Sequence, residues 1–261
     1  MPEMLEVEVY RQHARAALGR EITAVHAPDA WILKRGLTDT AVRDALVGRT
    51  LTGDRRIGKL LLLDTDDDGP TLGLRFGMTG RLLVDGAAPI QELEYGSKRS
   101  LGVWDRFGLD LAGGGSLVLN DPRRLGGVEL DPDEHRMGID AWSITPKQLD
   151  RALGASEAPL KARLMDQERI AGLGNLLTDE TLWRAGLDPV RPTASLSDAE
   201  RRRLQRHIRR TVQLLYDRGG SHTGDLQVAR LRGGRCPRDG AELERRTVGG
   251  RTTYSCPRHQ H

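Results

Sequence analysis

Cysteine and aromatic side chains are scarce in this 261-residue chain: two cysteines, two phenylalanines, four tyrosines and four tryptophans. Two cysteines, Cys236 and Cys256, are too few for a disulfide framework. Aromatics make up only 4% of the chain, so Leu, Val, Ile and Ala must fill most of the core; at 38% hydrophobic residues a packed core is possible. There is no long apolar run and no basic-then-apolar leader, so secretion and membrane insertion are not expected and the cytoplasm is the expected compartment. The length suits one large domain or two ordinary ones, and no internal repeat is visible.

The net charge of +3 hides an uneven distribution. Residues 160–261 carry 20 Lys+Arg against 12 Asp+Glu, a balance of +8, which leaves −5 on residues 1–159. Nearly all the basic residues of the second part are arginines, whose planar fork suits phosphate. A basic part on a near-neutral chain is the pattern of a nucleic-acid binder. A solvated arginine-rich surface is the alternative that composition leaves open.

Apolar spacing predicts a helix over 3–18, with Val7, Tyr10, Ala14 and Ala17/Leu18 on one face and Gly19 as its stop. From Ile22 to Leu119 the signals are mostly strands: Leu60–Leu63, Leu72–Phe76 and the partly alternating Leu101–Leu111. Turn clusters separate them, and one short helix lies near Thr40–Val47. Such a pattern suggests a sandwich or barrel. After 131–133 the character changes, and the boundary is expected within 131–144. Helices are expected at 160–167 and 176–185. Ser197-Asp-Ala-Glu200 forms a capping box for another, apolar at Leu204, Ile208, Val212 and Leu215. Its other face carries Arg202, Arg203, Arg206, Arg209 and Arg210. From Gly233 onward the chain reads as a β-hairpin.

Several short motifs carry chemistry. The chain opens Met1-Pro2-Glu3-Met4-Leu5-Glu6. Removal of Met1 is expected because proline is small, and it would expose a secondary amine able to attack an electrophilic carbon. An iminium formed that way is charged without a proton, hence an electron sink. The Gly172-Leu-Gly-Asn175 segment between two helices places Asn175 as an N-cap whose free N–H groups suit an anion such as a DNA phosphate; an ordinary helix hairpin reads the same way. Arg123 and Arg124, in the Asp121–Gly126 turn, could reach bases or phosphates. Met78 sits in a Gly-bounded turn, as core filler or as a wedge into a base stack. Lys59 lies at the edge of an apolar strand, facing solvent or an anionic backbone. Cys236-Pro-Arg-Asp239 and Cys256-Pro-Arg-His259 have zinc-ribbon spacing, and all four residues are feasible ligands. The alternative is a hairpin held by packing alone.

Taken in order, these motifs resemble the formamidopyrimidine-DNA glycosylase / endonuclease VIII family of base-excision repair enzymes. The likeness spans nearly the whole chain: Pro2–Glu8, Lys59, Gly77–Gly80, Asp121–Gly126, Lys161, the Gly172/Gly174/Asn175/Glu180 signature, and the hairpin with Arg251. It implies an α+β fold. An N-terminal β-sandwich with flanking helices would cover 1–131, a helix–two-turn–helix domain 145–232, and a zinc-ribbon-like hairpin 233–261. The family chemistry would have the Pro2 amine attack the sugar C1′ of an everted damaged nucleotide. Glu3 would protonate the ring oxygen, and both phosphates would then be eliminated. The resemblance puts Pro2, Glu3 and Lys59 in the catalytic set. It places Glu6, Arg75, Met78, Arg123, Arg124, Leu125, Lys161, Asn175, Glu180 and Arg251 against DNA. Zinc on Cys236, Asp239, Cys256 and His259 is implied, with no organic cofactor. The expected partner is double-stranded DNA holding damaged bases or abasic sites, bound by a nucleoid-associated monomer.

The chain departs from the family pattern at Leu5 (for Pro), Arg75 (for His), Leu125 (for Phe) and two zinc ligands. Its Ser221–Asp225 segment is shorter than the family's lesion-capping loop. A more open pocket, weak 8-oxoguanine activity and a broader or bulkier substrate range are expected. A DNA-binding protein without catalysis is the competing reading. An RNA-binding protein would leave the Pro-Glu start unexplained.

Overall fold

Leucine-rich runs bounded by turn residues pair into antiparallel sheets in the first half of the chain. The computed structural model describes residues 2–90, 93 and 101–261; Met1, and with it the expected processing, lies outside the described residues. Two units emerge, one holding Pro2 and Glu6–Glu134, the other Glu3–Leu5 and His135–His261.

The first unit runs α1 (Met4–Ala14, whose first residues belong to the second unit), β1 (Ile22–His26), α2 (Asp39–Leu46), β2 (Leu51–Ile57), β3 (Leu60–Thr65), β4 (Leu72–Arg75), β5 (Arg81–Val84), β6 (Asp105–Leu111), β7 (Ser116–Asn120) and β8 (Gly127–Leu130). Two four-stranded sheets form, β1-β6-β7-β5 and β2-β3-β4-β8, all neighbours antiparallel. Alternation along β3 sends Leu61 and Leu63 into a core shared with Leu72, Leu74, Leu109, Leu117 and Leu119. The helix face Val7, Tyr10, Ala14 and Ala17 seals that core, all four with no exposure. The α-helix is shorter than 3–18, because a 3-10 turn at Arg15–Ala17 tightens its end. Residues 102–104 also form a 3-10 turn, so the strand expected over 101–111 starts at Asp105.

The second unit contains β9 (Ile139–Asp140), α3 (Pro146–Leu153), α4 (Leu160–Leu164), β10 (Ile170–Ala171), α5 (Asn175–Ala185), α6 (Asp198–Asp217), β11 (Glu244–Val248) and β12 (Arg251–Ser255). Capping boxes start two of the helices: Thr145 with Gln148 on α3, and Ser197 with Glu200 on α6. Helix α5 is buried on every side from Leu176 to Trp183, and Leu204, Ile208, Val212 and Leu215 of α6 join the same core. Gly249 and Gly250, at φ 56° and 72°, supply the turn joining β11 to β12. No described helix is long and apolar enough to cross a membrane.

Candidate functional site

The start of α5 is a tight turn around a buried carboxylate. Gly174, not Asn175, is the N-cap; Asn175 is the first helical residue. The anion at this helix start comes from the protein itself. Oε2 of Glu3 accepts from the amides of Gly174 (2.9 Å) and Leu177 (3.2 Å), and Oε1 from Leu176 (2.8 Å). Amide donors and the positive end of the helix dipole both favour a negative group here. A sequence reading sees the donors but not their partner, because Glu3 lies more than 170 residues away. Glycine is required: a Cβ on Gly174 would stand 2.2 Å from Cδ of Glu3, and one on Gly172, at φ 110°, would press on Met4. Gln167 braces the turn, accepting from Gly172 N (3.0 Å) and donating to Leu173 O (2.9 Å). That brace follows the end of α4 at Leu164, short of the expected 167. Pro2, the residue before Glu3 in the chain, is buried.

A second buried charge ties α4 and α5 to the hairpin. Lys161, with no exposed side chain, pairs with Asp179 at 2.7 Å and donates to Thr253 Oγ1 (2.7 Å) and Thr252 O (3.2 Å). Burial pushes the Lys161 ammonium down from its ordinary range, against the pull of Asp179. Arg230 also pairs with Asp179, and the amide of Tyr254 donates to the same carboxylate at 3.3 Å. Lys161 thus faces the hairpin interior in this structure, while Arg251 at the start of β12 is exposed. Asp179, Arg230 and Thr253 carried no signal in the sequence, since lone charges and hydroxyls there look solvated.

Glu180 is 3% exposed and acts as an internal acceptor. The amides of Asp225 (3.1 Å) and Leu226 (2.9 Å) and the guanidinium of Arg184 (2.7 Å) converge on it. The short segment expected at Ser221–Asp225 is a 3-10 turn, Ser221–Thr223, fastened by these bonds and by Asp225 to Arg218 (2.7 Å).

In the first unit, Asp121 organises two loops. Its carboxylate accepts from Thr79 Oγ1 (2.6 Å) and from the amides of Arg123 (3.2 Å), Leu125 (2.8 Å) and Gly126 (2.8 Å). A Cβ on Gly77 would meet the Leu125 backbone at 2.4 Å, so the Met78 turn and the arginine loop pack as one piece. Arg123 and Leu125 are exposed there and Met78 is half-buried. Arg124 lies at φ 57° and forms a two-pronged bond to Asp29, 2.6 Å on each prong, which lowers the Asp29 pKa. Arg75 bonds Glu129 at 2.9 Å. Both arginines, expected against DNA, are held by carboxylates. Lys59, half-buried, sits with Gly58 in the two-residue turn between β2 and β3. Glu6 is buried, 3% exposed.

At the hairpin base, ligand atoms of Cys236, Asp239, Cys256 and His259 lie within 4.8 Å of one another, a set able to hold a metal ion. Outer contacts suit that use: His259 Nε2 lies 3.2 Å from Trp183 O, and the Trp183 indole donates to Cys236 Sγ at 3.3 Å. Burial pushes the Cys256 thiol up to about 11, a cost that a bound cation would reverse by stabilising the thiolate.

Comparison with known proteins agrees with this layout. Residues 1–128 match the formamidopyrimidine-DNA glycosylase N-terminal domain, and residues 137–225 match the H2TH domain of the same enzymes. The formamidopyrimidine-DNA glycosylase of Chloroflexus aurantiacus is 32% identical over 98% of this chain and 96% of its own. That of Carboxydothermus hydrogenoformans is 33% identical over the whole of both chains. Among solved structures, Lactococcus lactis Fpg with oxidised-pyrimidine-containing DNA superposes with a TM-score of 0.82 at 27% identity, covering all of both chains. The same protein with abasic-site DNA gives 0.81 at 26%, again covering both chains fully.

Proposed function

The chain belongs to the formamidopyrimidine-DNA glycosylase family, and from that premise we propose how its own residues carry out base excision and strand cleavage at damaged DNA. The nitrogen of Pro2, freed by loss of Met1, attacks C1′ of an everted deoxynucleotide. The bond to the damaged base breaks and the base leaves; the C1′–O4′ bond then opens, the ring oxygen taking up the proton that the prolyl nitrogen gives up, and an iminium forms between protein and sugar. Loss of a C2′ proton lets the 3′ phosphate depart by elimination, and loss of a second proton, from C4′, lets the 5′ phosphate follow.

One observation carries this reading: three amides of the α5 turn grip the Glu3 carboxylate. The residue after the nucleophile is thereby fixed, and the amine gains the orientation that raises effective concentration. Both oxygens act as acceptors in this arrangement, so the geometry favours an anchoring role for Glu3 over the proton-donor role the family resemblance suggests. Lys59, at the tip of its hairpin, is assigned to the phosphates or the proton transfers beside the sugar. Asn175 and Arg251 are assigned to phosphates. Met78, Arg123 and Leu125 are assigned to the gap left by the everted nucleotide, in a loop made rigid by Asp121. Lys161 and Glu180 are positioning residues that hold the hairpin and the short loop. Arg75 and Arg124 bring charge to the DNA side only by exchanging their carboxylate partners.

Zinc suits the donor set of Cys236, Asp239, Cys256 and His259, with two thiolates, an imidazole and a carboxylate. When bound it supplies structural cross-linking of the hairpin that carries Arg251. The substrates are abasic sites, formamidopyrimidines and oxidised pyrimidines, the lesion classes in the solved relatives' complexes. The short, fastened Ser221–Asp225 segment leaves 8-oxoguanine a poor substrate.

Borohydride reduction on abasic-site duplex tests the chemistry. A covalent adduct is expected that Pro2→Gly diminishes and an N-terminal tag abolishes. An undiminished adduct from tagged protein would assign the nucleophile elsewhere.

A further inference from the structure

The arginine face of α6 has no part in the chemistry above, and it borders a cleft. Trp142, Gln205, Arg206, Arg209, Arg210 and Gln213 line a space of about 370 Å³, a size that takes a small-molecule-sized group. Arg202, Arg206, Arg209 and Gln213 follow one another at steps of four, three and four residues. They form a stripe about 16 Å long at the helical rise of about 1.5 Å per residue. Arg202, Arg206, Arg209 and Arg210 are exposed, and among the described residues none of the four enters an ion pair. Two acids of the same helix have other partners: Glu200 bonds Arg191 at 2.5 Å, and Asp217 accepts from Gln213 at 2.8 Å. Burial first, then the guanidinium groups of Arg210, Arg184, Arg203 and Arg206, hold His207 below the ordinary imidazole range.

The cleft is not purely ionic. Trp142 is half-buried and meets Tyr216 edge to face at 5.0 Å. Gln205 donates its amide N–H to Ile144 O (2.7 Å) and Gln213 donates to Asp217, which leaves their carbonyl oxygens as acceptors. An unpaired base offers N–H donors to such oxygens and a ring face to an indole; an acidic side chain offers neither.

We propose that this cleft is a second nucleic-acid site that takes a single-stranded segment of DNA, its phosphates on Arg206, Arg209 and Arg210 and one unpaired base against Trp142. It is independent of the Pro2 chemistry and serves to hold DNA, not to cleave it. Anisotropy with a labelled oligothymidylate of about 12 nucleotides tests it in the full-length protein. The variant Arg206→Gln/Arg209→Gln/Arg210→Gln changes exposed positions only, and Trp142→Leu keeps an apolar filler against Tyr216. Losing three phosphate contacts should lower the salt slope by about 2 and weaken binding at least about tenfold near 0.1 M salt. Trp142→Leu should weaken it about fivefold or more at unchanged slope. A slope unchanged in the triple variant overturns the proposal. So does a loss confined to duplex of the same length, or tighter binding of a polyglutamate peptide than of the oligonucleotide; the latter would mark an acidic protein as the occupant. Borohydride trapping on abasic duplex reports separately on Pro2, so failure of the one reading leaves the other measurable.

Discussion

Replacing Asp179 by Asn isolates the buried charge cluster that joins α5 to the hairpin. Asp179 is 1% exposed and is shared by Lys161 at 2.7 Å, by Arg230 and by the Tyr254 amide at 3.3 Å. Asparagine keeps the volume and one acceptor for Tyr254, but it strands two cations: Lys161, wholly buried, and Arg230, 7% exposed. Removing one partner of a buried ion pair costs about 3–5 kcal/mol, because the remaining charge is left desolvated and unpaired. Retention of the Tyr254 bond and partial water access to Arg230 place the expected loss near about 3 kcal/mol. For a protein of this size that corresponds to a fall in melting temperature of roughly 6–12 °C. Urea unfolding followed by circular dichroism measures it. Adding Lys161→Met to the variant removes one stranded cation, so the double variant should be less destabilised than the sum of the single ones, with a coupling of about 0.5–3 kcal/mol. A loss below about 1 kcal/mol for Asp179→Asn, with simple additivity in the double variant, would falsify the view that this cluster holds the hairpin in place.

Two further outcomes follow from the geometry. Gly174→Ala would place a Cβ 2.2 Å from the Glu3 carboxyl carbon; displacement of that anchor should slow single-turnover borohydride trapping at least about tenfold, since misplacement by about an ångström can cost that much or more, whereas a wild-type rate would show that the grip on Glu3 is not what orients the amine. Glu200, bonded by Arg191 and by the Ser197 cap, has its carboxyl lowered from 4.5 to about 2; its stabilising effect is therefore fully present above pH 4.5 and lost as the pH falls through about 2. Glu200→Gln should flatten acid unfolding over that window, and melting curves of the two proteins that stay parallel from pH 5 to about 2 would contradict it.

Much of the fold was legible because its signals are local. The leucine run 60–63, the Ser197–Glu200 box and the apolar positions of α6 each specify an element within a few residues, and those elements formed where expected. The family-defining turns were legible for the same reason: Gly172 and Gly174 mark backbone that no side chain would tolerate beside Met4 and Glu3. Helix ends were less so. The end of α4 and the start of β6 shifted by several residues, because Gln167 bonds the Gly172–Leu173 turn instead of extending the helix, and Leu101 and Trp104 accept from Asn120 and Asp121, pairings that periodicity does not encode.

The sequence by itself determined which segments curl, which extend, and that a Pro-Glu start, an arginine-rich second part and a hairpin with four residues able to hold a metal belong to one chain. Tertiary structure alone decided the partners. It gave the α5 amides to Glu3, turned Lys161 inward to Asp179, drew Glu180 to the short loop, and engaged Arg75 and Arg124 with carboxylates while leaving Arg202, Arg206, Arg209 and Arg210 of α6 outside any ion pair among the described residues. The reason is physical. Propensity and periodicity act over a turn or a strand, whereas a buried charge takes whichever opposite group the folded chain brings within about 3 Å, and that choice has no signature in the neighbouring residues.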